Sequence, residues 1–500
     1  MTVDYMVMFG YLLGIVGVGW WGKRRAASKS DFLVAGRRLG PVMYTGTMAA
    51  VVLGGASTIG GVRLGYTHGL SGAWMVFAIG LGLLALSAFF SARIARLKVY
   101  TVAEMLSLRY GDAASLISGL VMWIYTLMLV VTSTIAYATV FDVLFDVPRW
   151  AAVVIGGSVV VAYSAMGGMW SITLTDMVQF VVKSIGVLVL LLPIAVVKAG
   201  GFAQMKDELP DDYFSFTSIG GETIFTFVLI YTFGMLIGQD IWQRIFTARS
   251  DKVASYGGTA AGLYCLVYAL AGAFIGMAAK TLYPTLESAD SAFATIVKNL
   301  LPTGVKGLVL AAALSAMMST ASGALIASAT VANNDILARL RVRGGRPAGA
   351  PDHEDHDEVR ANRVTIVALG VVSIVVACLL DDVIAALTVA YNMLVGGLLV
   401  PILGGLLWRR GNLQGALAAM TAGGLTVITL MVTEGVLANE PVYYGLAVSL
   451  VAYLAVSLAT RPTDAAILDR WRRRLAGEDT AQAAPPAAAP AVAAPAASEH

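Results

Sequence analysis

Two stretches of this 500-residue chain carry groups able to hold a cation without a carboxylate. Within 311–324, Ala316, Ser319 and Thr320 stand at i, i+3 and i+4 and share one face of a helix, flanked by Ser315 and Ser322. Such a face either packs closely against another helix or offers hydroxyl oxygens to a hard monovalent ion. Within 48–63, the pairs Gly54-Gly55 and Gly60-Gly61 bracket Ala56-Ser57-Thr58-Ile59, and each glycine costs a helix about 1 kcal/mol relative to alanine. Either these glycines allow tight helix packing, or the segment unwinds and its freed carbonyls line a cavity or bind an ion. Arg63 follows directly. Its guanidinium is a bidentate match for a carboxylate, which it would find on a solute or on a protein acid at an outer gate. Asp176 and Lys183 lie seven residues apart in another apolar run, about 10 Å along one helix face, where they could pair. Asp240 and Arg244 are expected at the inner end of a further run, as gate charges.

The elements that position these groups are membrane helices. Hydrophobic residues make up 58% of the chain and charged residues 13%, about half the usual charged share, too few to cover soluble domains of this size. The net charge of +3 and the lack of a basic patch interleaved with aromatics argue against nucleic-acid binding. Cys265 and Cys378 both sit in apolar runs, which disfavours a disulfide framework or a cysteine metal site. The four histidines, at 68, 353, 356 and 500, form no intramembrane catalytic cluster, so an enzyme is not expected.

About thirteen apolar segments are expected to span, near 4–22, 41–68, 73–92, 114–144, 150–168, 174–197, 222–241, 256–279, 304–333, 362–382, 383–408, 413–434 and 441–460. Asp4 precedes the first and Lys23, Arg24 and Arg25 follow it, the reverse of a cleaved signal, so this segment is expected to stay as an anchor with its N-terminus outside. With that start, alternate loops hold 26 of the 34 basic residues and the outer loops six; an even number of spans would destroy that bias. An all-α polytopic protein, N-out and C-in, is the expectation. The acidic stretch 352–358, with His353 and His356, reads as a solvated charge run rather than a metal site. The Ala/Pro-rich tail after Gly477 is too poor in packing residues to fold and too short for an appended enzymatic or kinase domain.

Several ordered motifs resemble the sodium:solute symporters: Ser30-Asp-Phe-Leu-Val-Ala-Gly-Arg-Arg-Leu-Gly-Pro41, Gly167-Gly-Met-Trp-Ser-Ile-Thr-Leu-Thr-Asp-Met-Val-Gln179, Trp242-Gln-Arg244, Ala316-Met-Met-Ser-Thr320 and Leu407-Trp-Arg-Arg-Gly-Asn-Leu-Gln-Gly-Ala416. They are most similar to the bacterial sodium/proline, pantothenate and monocarboxylate-type members. The resemblance implies a LeuT-like fold of two inverted five-helix repeats, over 41–197 and 222–408. A leading helix and loop would occupy 1–40, two accessory helices 409–460 and a disordered cytoplasmic tail 461–500. It places the chain in a bacterial plasma membrane as a multi-pass protein.

The resemblance also implies a sodium site made by the carbonyls of Ala56, Ile59 and Ala316 with the hydroxyls of Ser319 and Thr320. A second sodium would use Asp176 and Ser322, but Gly323 stands where a further serine would help. Candidate solute-binding residues are Thr58, Arg63, Phe233, Thr388, Tyr391 and Asn392. The expected function is sodium-coupled import of a small, carboxylate-bearing solute such as a monocarboxylate, an amino acid or a pantothenate-like acid. Sodium would be the coupling ion, with no cofactor and no obligatory protein partner. The rival expectations are a sodium-independent or proton-coupled carrier and a membrane sensor on the same scaffold.

Overall fold

The structure, a computed structural model, describes residues 2–137, 140–141, 147–338, 354–380 and 382–478. Asp352, His353 and the tail from 479 lie outside the described residues. The regular elements are helices: α1 (Thr2–Lys23), α2 (Pro41–Val52), α3 (Gly61–His68), α4 (Trp74–Phe89), α5 (Asp112–Ile135), α6 (Arg149–Lys183), α7 (Gln239–Ile245), α8 (Asp251–Leu282), α9 (Val305–Val331), α10 (Glu354–Leu379), α11 (Val383–Leu407), α12 (Leu413–Thr433), α13 (Glu440–Ala459) and α14 (Ala465–Ala476), with shorter turns between. Among the described residues, ten helices are long and apolar enough to cross a membrane, or eleven if the pair Gly221–Ile237 and Gln239–Ile245, bent by 44°, is one span.

The expected count of thirteen differs from this because helical runs join. Arg149–Lys198 is one run of 50 residues, about 75 Å at 1.5 Å per residue, against a hydrocarbon core of about 30 Å. It turns a corner inside α6, where Gly167 (φ −137°, ψ 15°) and Gly168 (φ 54°, ψ −135°) leave the helical region. A side chain at Gly168 would come within 2.3 Å of the Phe32 carbonyl, so glycine is required there for both its angle and its size. Similarly, Ala56–Phe89 forms one run of 34 residues across two expected spans.

The packing centre is α9, whose most apolar window lies wholly inside the protein. Its alanine-, serine- and glycine-rich sequence lets α1, α2, α5 and α6 approach closely. Asp4 of α1 accepts hydrogen bonds from the backbone N–H groups of Gly304 (2.8 Å) and Gly307 (3.0 Å) at the start of α9, an anion at the positive end of a helix. At the far end of α1, Arg24 and Arg25 stack over Trp20 and Trp21, 4.7 and 4.8 Å from their ring centres.

The loops sort to two ends. At one end Arg37 donates to the Lys98 (2.9 Å) and Val99 (3.0 Å) carbonyls, Arg96 pairs with Asp251 (2.6 Å), and Arg109 and Arg410 reach the carbonyls of Gly411 (2.9 Å) and Thr460 (2.7 Å). The amphipathic α14 closes this end, with Trp471 buried and its indole donating to Gly405 (3.2 Å). At the other end Tyr66 donates to Tyr283 (2.9 Å), Tyr213 donates to Tyr66 (3.1 Å), and Arg63 pairs with Asp290 (2.9 Å). The basic stretches expected to share a side therefore meet physically.

Candidate functional site

The second expected span is broken, three residues before the stretch the glycines bracket. Helix α2 begins with proline at its first turn and ends at Leu53 (φ −101°, ψ 81°). Ala56–Gly60 then forms a π-helical turn that leads into α3. Glycine is needed at the break because α9 and the end of α5 are so close: a Cβ on Gly54 would lie 2.6 Å from the Thr320 Oγ1 of α9, and one on Gly55 2.6 Å from the Ala136 side chain just past α5. Ending α2 here leaves the carbonyls of its last turn without helical partners.

Two helices supply those partners. Ser319 of α9 donates to the Ala50 carbonyl (2.8 Å), with the Ala316 carbonyl 3.0 Å away, and Thr320 donates to the Val51 carbonyl (2.6 Å). The structure thus brings the hydroxyl face and the break together. The facing carbonyls are those of Ala50 and Val51, whereas Ala56 and Ile59 lie in the π-helical turn beyond the break. From α6, the Lys183 Nζ donates to the carbonyls of Ala49 (3.3 Å), Ala50 (3.2 Å) and Leu53 (3.2 Å). Lys183 is completely buried, and among the described residues it has no carboxylate partner.

Asp176 is also sealed in, but its partner is not Lys183. Its Oδ2 accepts from the Arg244 Nη2 (3.0 Å) and from the Thr47 hydroxyl, and both charged side chains have no exposure. Ser322 donates to the Ser319 carbonyl (3.1 Å) instead of facing Asp176. Gly323 makes room for the guanidinium, since a Cβ there would come within 3.0 Å of the Arg244 Nη2. Arg244 and Asp240, expected at the inner end of their run as gate charges, are therefore both buried. Asp240 accepts from the Tyr125 hydroxyl (2.8 Å).

Two cavities flank the π-helical turn. A chamber of about 30 Å³ is lined by Gly54, Gly55, Ala56 and Ser57 on one side and by Thr132, Ser133, Asp240, Thr320 and Tyr391 on the other. Tyr391 meets Tyr125 and Tyr231 edge-on, with ring centres 5.6 and 5.4 Å apart. One turn further on, Ile59, Gly60, Ile135 and Ala136 face an open vestibule of about 620 Å³ that also contains Arg63, Arg149, Asp290 and Asp382. The turn lines a small chamber on one side and a large vestibule on the other.

Of the expected solute residues, Tyr391 lines the chamber and Arg63 the vestibule. Asn392 is fully buried with neither end of its amide partnered. Thr388 is buried beside Leu387 but lines neither cavity. Thr58 bonds the Gly54 carbonyl (3.0 Å) and the Tyr268 hydroxyl (2.9 Å), and the half-buried Phe233 faces neither cavity.

A broken helix opposite a hydroxyl-bearing one is a device of secondary carriers, and the comparisons agree. The sequence pattern of the sodium:solute symporter family matches residues 32–423. The chain belongs to that family. Members similar to it include the high-affinity proline transporter PutP of Bacillus subtilis (strain 168), 24% identical over 479 residues, covering 91% of this chain and 98% of that protein. The sodium/pantothenate symporter of Escherichia coli (strain K12) is 26% identical over 475 residues, covering 89% and 94%. Among solved structures, a Na+-coupled sialic acid symporter in a substrate-bound outward-open state superposes with a TM-score of 0.79 at 18% identity, over 92% of this chain and 98% of the other. Mhp1, a nucleobase-cation-symport-1 family transporter, gives 0.58 at 16% identity, over 90% and 99%. These are LeuT-fold transporters, and the family is one of multi-pass plasma-membrane carriers, not enzymes.

The residues missed from sequence are Lys183 as a partner of the break and Asp240 as a chamber wall. A lone lysine deep in an apolar span is itself a signal, because an intramembrane charge is functional by default.

Proposed function

We propose that this chain is a secondary active carrier that imports a small organic solute, with a carboxylate-bearing compound such as a monocarboxylate, an amino acid or a pantothenate-like acid as the best match. The observation that carries this reading is the break at Leu53–Gly54, whose open carbonyls meet Ser319 and Thr320 beside a small chamber, with a large vestibule one turn further on. A broken helix lined by cavities suits alternating access. The two inverted repeats, 41–197 and 222–408, and the N-out, C-in orientation are part of this proposal. Arg63 supports the carboxylate preference: it lies in the vestibule, reached by water, and a solute carboxylate could replace Asp290 as its partner.

The names of the family and of its relatives support sodium as the coupling ion, and the hydroxyl and carbonyl oxygens at the break are of the kind that ion takes. A second reading, a carrier that runs without sodium or on protons, is favoured by the Lys183 amine on those same carbonyls. A sensor reading has less support, since the vestibule and chamber suit passage of a solute. The test is uptake by the purified chain in proteoliposomes, using labelled proline, pantothenate and pyruvate, under a sodium gradient, a proton gradient and neither. Accumulation or counterflow of a solute supports the carrier; none for any small carboxylate under any gradient would return the sensor reading to first place.

A further inference from the structure

Among the described residues, Lys183 is completely buried beside the break and shares the Ala50 carbonyl with Ser319, a hydroxyl of the expected sodium site, while Arg244 is completely buried on Asp176, the carboxylate of the expected second one. The carbonyls of Ala49, Ala50 and Leu53 point at one spot, and the Lys183 ammonium fills it. An ammonium has three donors and no acceptor, so three carbonyls at 3.2–3.3 Å satisfy it completely. These carbonyls also form the negative end of α2, which gives the charge a reason to be there.

We propose that the Lys183 ammonium is this chain's own cation at the helix break, held on the carbonyl that Ser319 also binds and so beside the position a sodium ion would need, so that transport by the wild-type chain does not depend on sodium. The proposal rests on the carrier reading above.

Geometry and charge both support it. The Ala50 carbonyl is shared by Lys183 and Ser319, so the amine and the hydroxyl face use one cluster of oxygens. A sodium ion at that cluster would sit within a few ångströms of a second unit charge, a repulsion much stronger inside a protein than in water. The acid that acts on Lys183 across space is Asp176, without a hydrogen bond between them. On the same helix, Asp176 is engaged by Arg244 and Thr47. From α8 come Cys265, buried nearby, and Tyr268, whose ring centre is 5.8 Å from the Lys183 Nζ. From α9 comes the neutral Ser319.

The second candidate ion position follows the same pattern. Asp176 already has a cation, Arg244, and the absent hydroxyl at Gly323 is what leaves space for it. Arg244 belongs to the Trp242-Gln-Arg244 motif that resembles the sodium:solute symporters, so it is Lys183, and not Arg244, that bears on sodium dependence.

The experiment measures the melting temperature of the full-length chain in detergent, in sodium chloride and in choline chloride at equal ionic strength. The wild type is expected to melt at the same temperature in both. Lys183→Met, which keeps the side-chain length and removes the charge, is expected to melt several degrees higher in sodium, with an effect that saturates as sodium rises. Saturable sodium stabilisation of the wild type would overturn the proposal. So would a Lys183→Met variant as indifferent to sodium as the wild type, because the amine would then not be what keeps sodium out. Should Lys183→Met fail to fold, Lys183→Gln and equilibrium binding of radioactive sodium to the wild type decide the same question. Counterflow of solute by the wild type without sodium tests the carrier reading separately: if counterflow is absent while the sodium results hold, the carrier reading fails and the assignment of Lys183 stands.

Discussion

Lys183 and Arg244 are both fully buried cations, and they are held in different ways. Arg244 rests on a carboxylate, Asp176, at 3.0 Å; Lys183 rests on three neutral carbonyls at the end of α2. The first is a local charge pair whose members depend on each other. The second depends on the break in α2, because an intact helix would have used those carbonyls internally. The arginine is therefore tied to a residue, and the lysine to a backbone conformation. A carrier that changes shape at the break would disturb Lys183 and leave the Asp176–Arg244 pair intact.

The largest expected effect breaks the pair. Asp176→Ala leaves Arg244 buried without its counter-charge, which should lower stability by about 3–5 kcal/mol; Lys183→Met leaves only carbonyls unpartnered, at about 1–3 kcal/mol. Chemical unfolding in detergent compares them, and equal losses would remove the distinction drawn here. Next, Gly323→Ala should cost about 1–3 kcal/mol by overpacking, because its Cβ would come within 2.5 Å of Val51 and 3.0 Å of Arg244. The same unfolding assay reads this, and an unchanged midpoint would mean the guanidinium is not confined. Ser319→Ala removes one hydrogen bond to a carbonyl that Lys183 still serves, so about 1 kcal/mol is expected.

The smallest effect on stability is at the rim. Arg63→Gln breaks a pair whose members are 34% and 62% exposed, at less than about 1 kcal/mol. It should nevertheless raise the solute concentration for half-maximal uptake, whereas Asp290→Asn, which frees the guanidinium, should not. If both variants weaken uptake equally, the pair acts as a gate and not as a carboxylate trap.

The span pattern and the charge sorting were readable from the chain because both follow from local composition. Spans are runs of apolar residues, and basic stretches 37–38, 93–109, 249–252 and 461–474 marked the loops that meet at one end. The meeting of the glycine-rich span with Ser319 and Thr320 was also legible. The register of the break was not. Two glycine pairs are equivalent in sequence, and only the approach of Thr320 to Gly54 selects the first. Partner choice was hidden as well: Asp176 has Lys183 seven residues away, but its carboxylate is taken by Arg244, 68 residues on. Which cation reaches it depends on how α6, α7 and α9 pack, and no local pattern encodes that.

A void of about 30 Å³ behind the Tyr391 ring is roughly one water molecule's share of the liquid, whereas sites for small organic ligands run to about 300–1,000 Å³. On the proposed function, a cargo molecule that lodges there has to push its own berth open, and the Tyr391 ring, packed edge-on against Tyr125 and Tyr231, is what it would displace. With no cargo, the same packed rings would keep the berth shut.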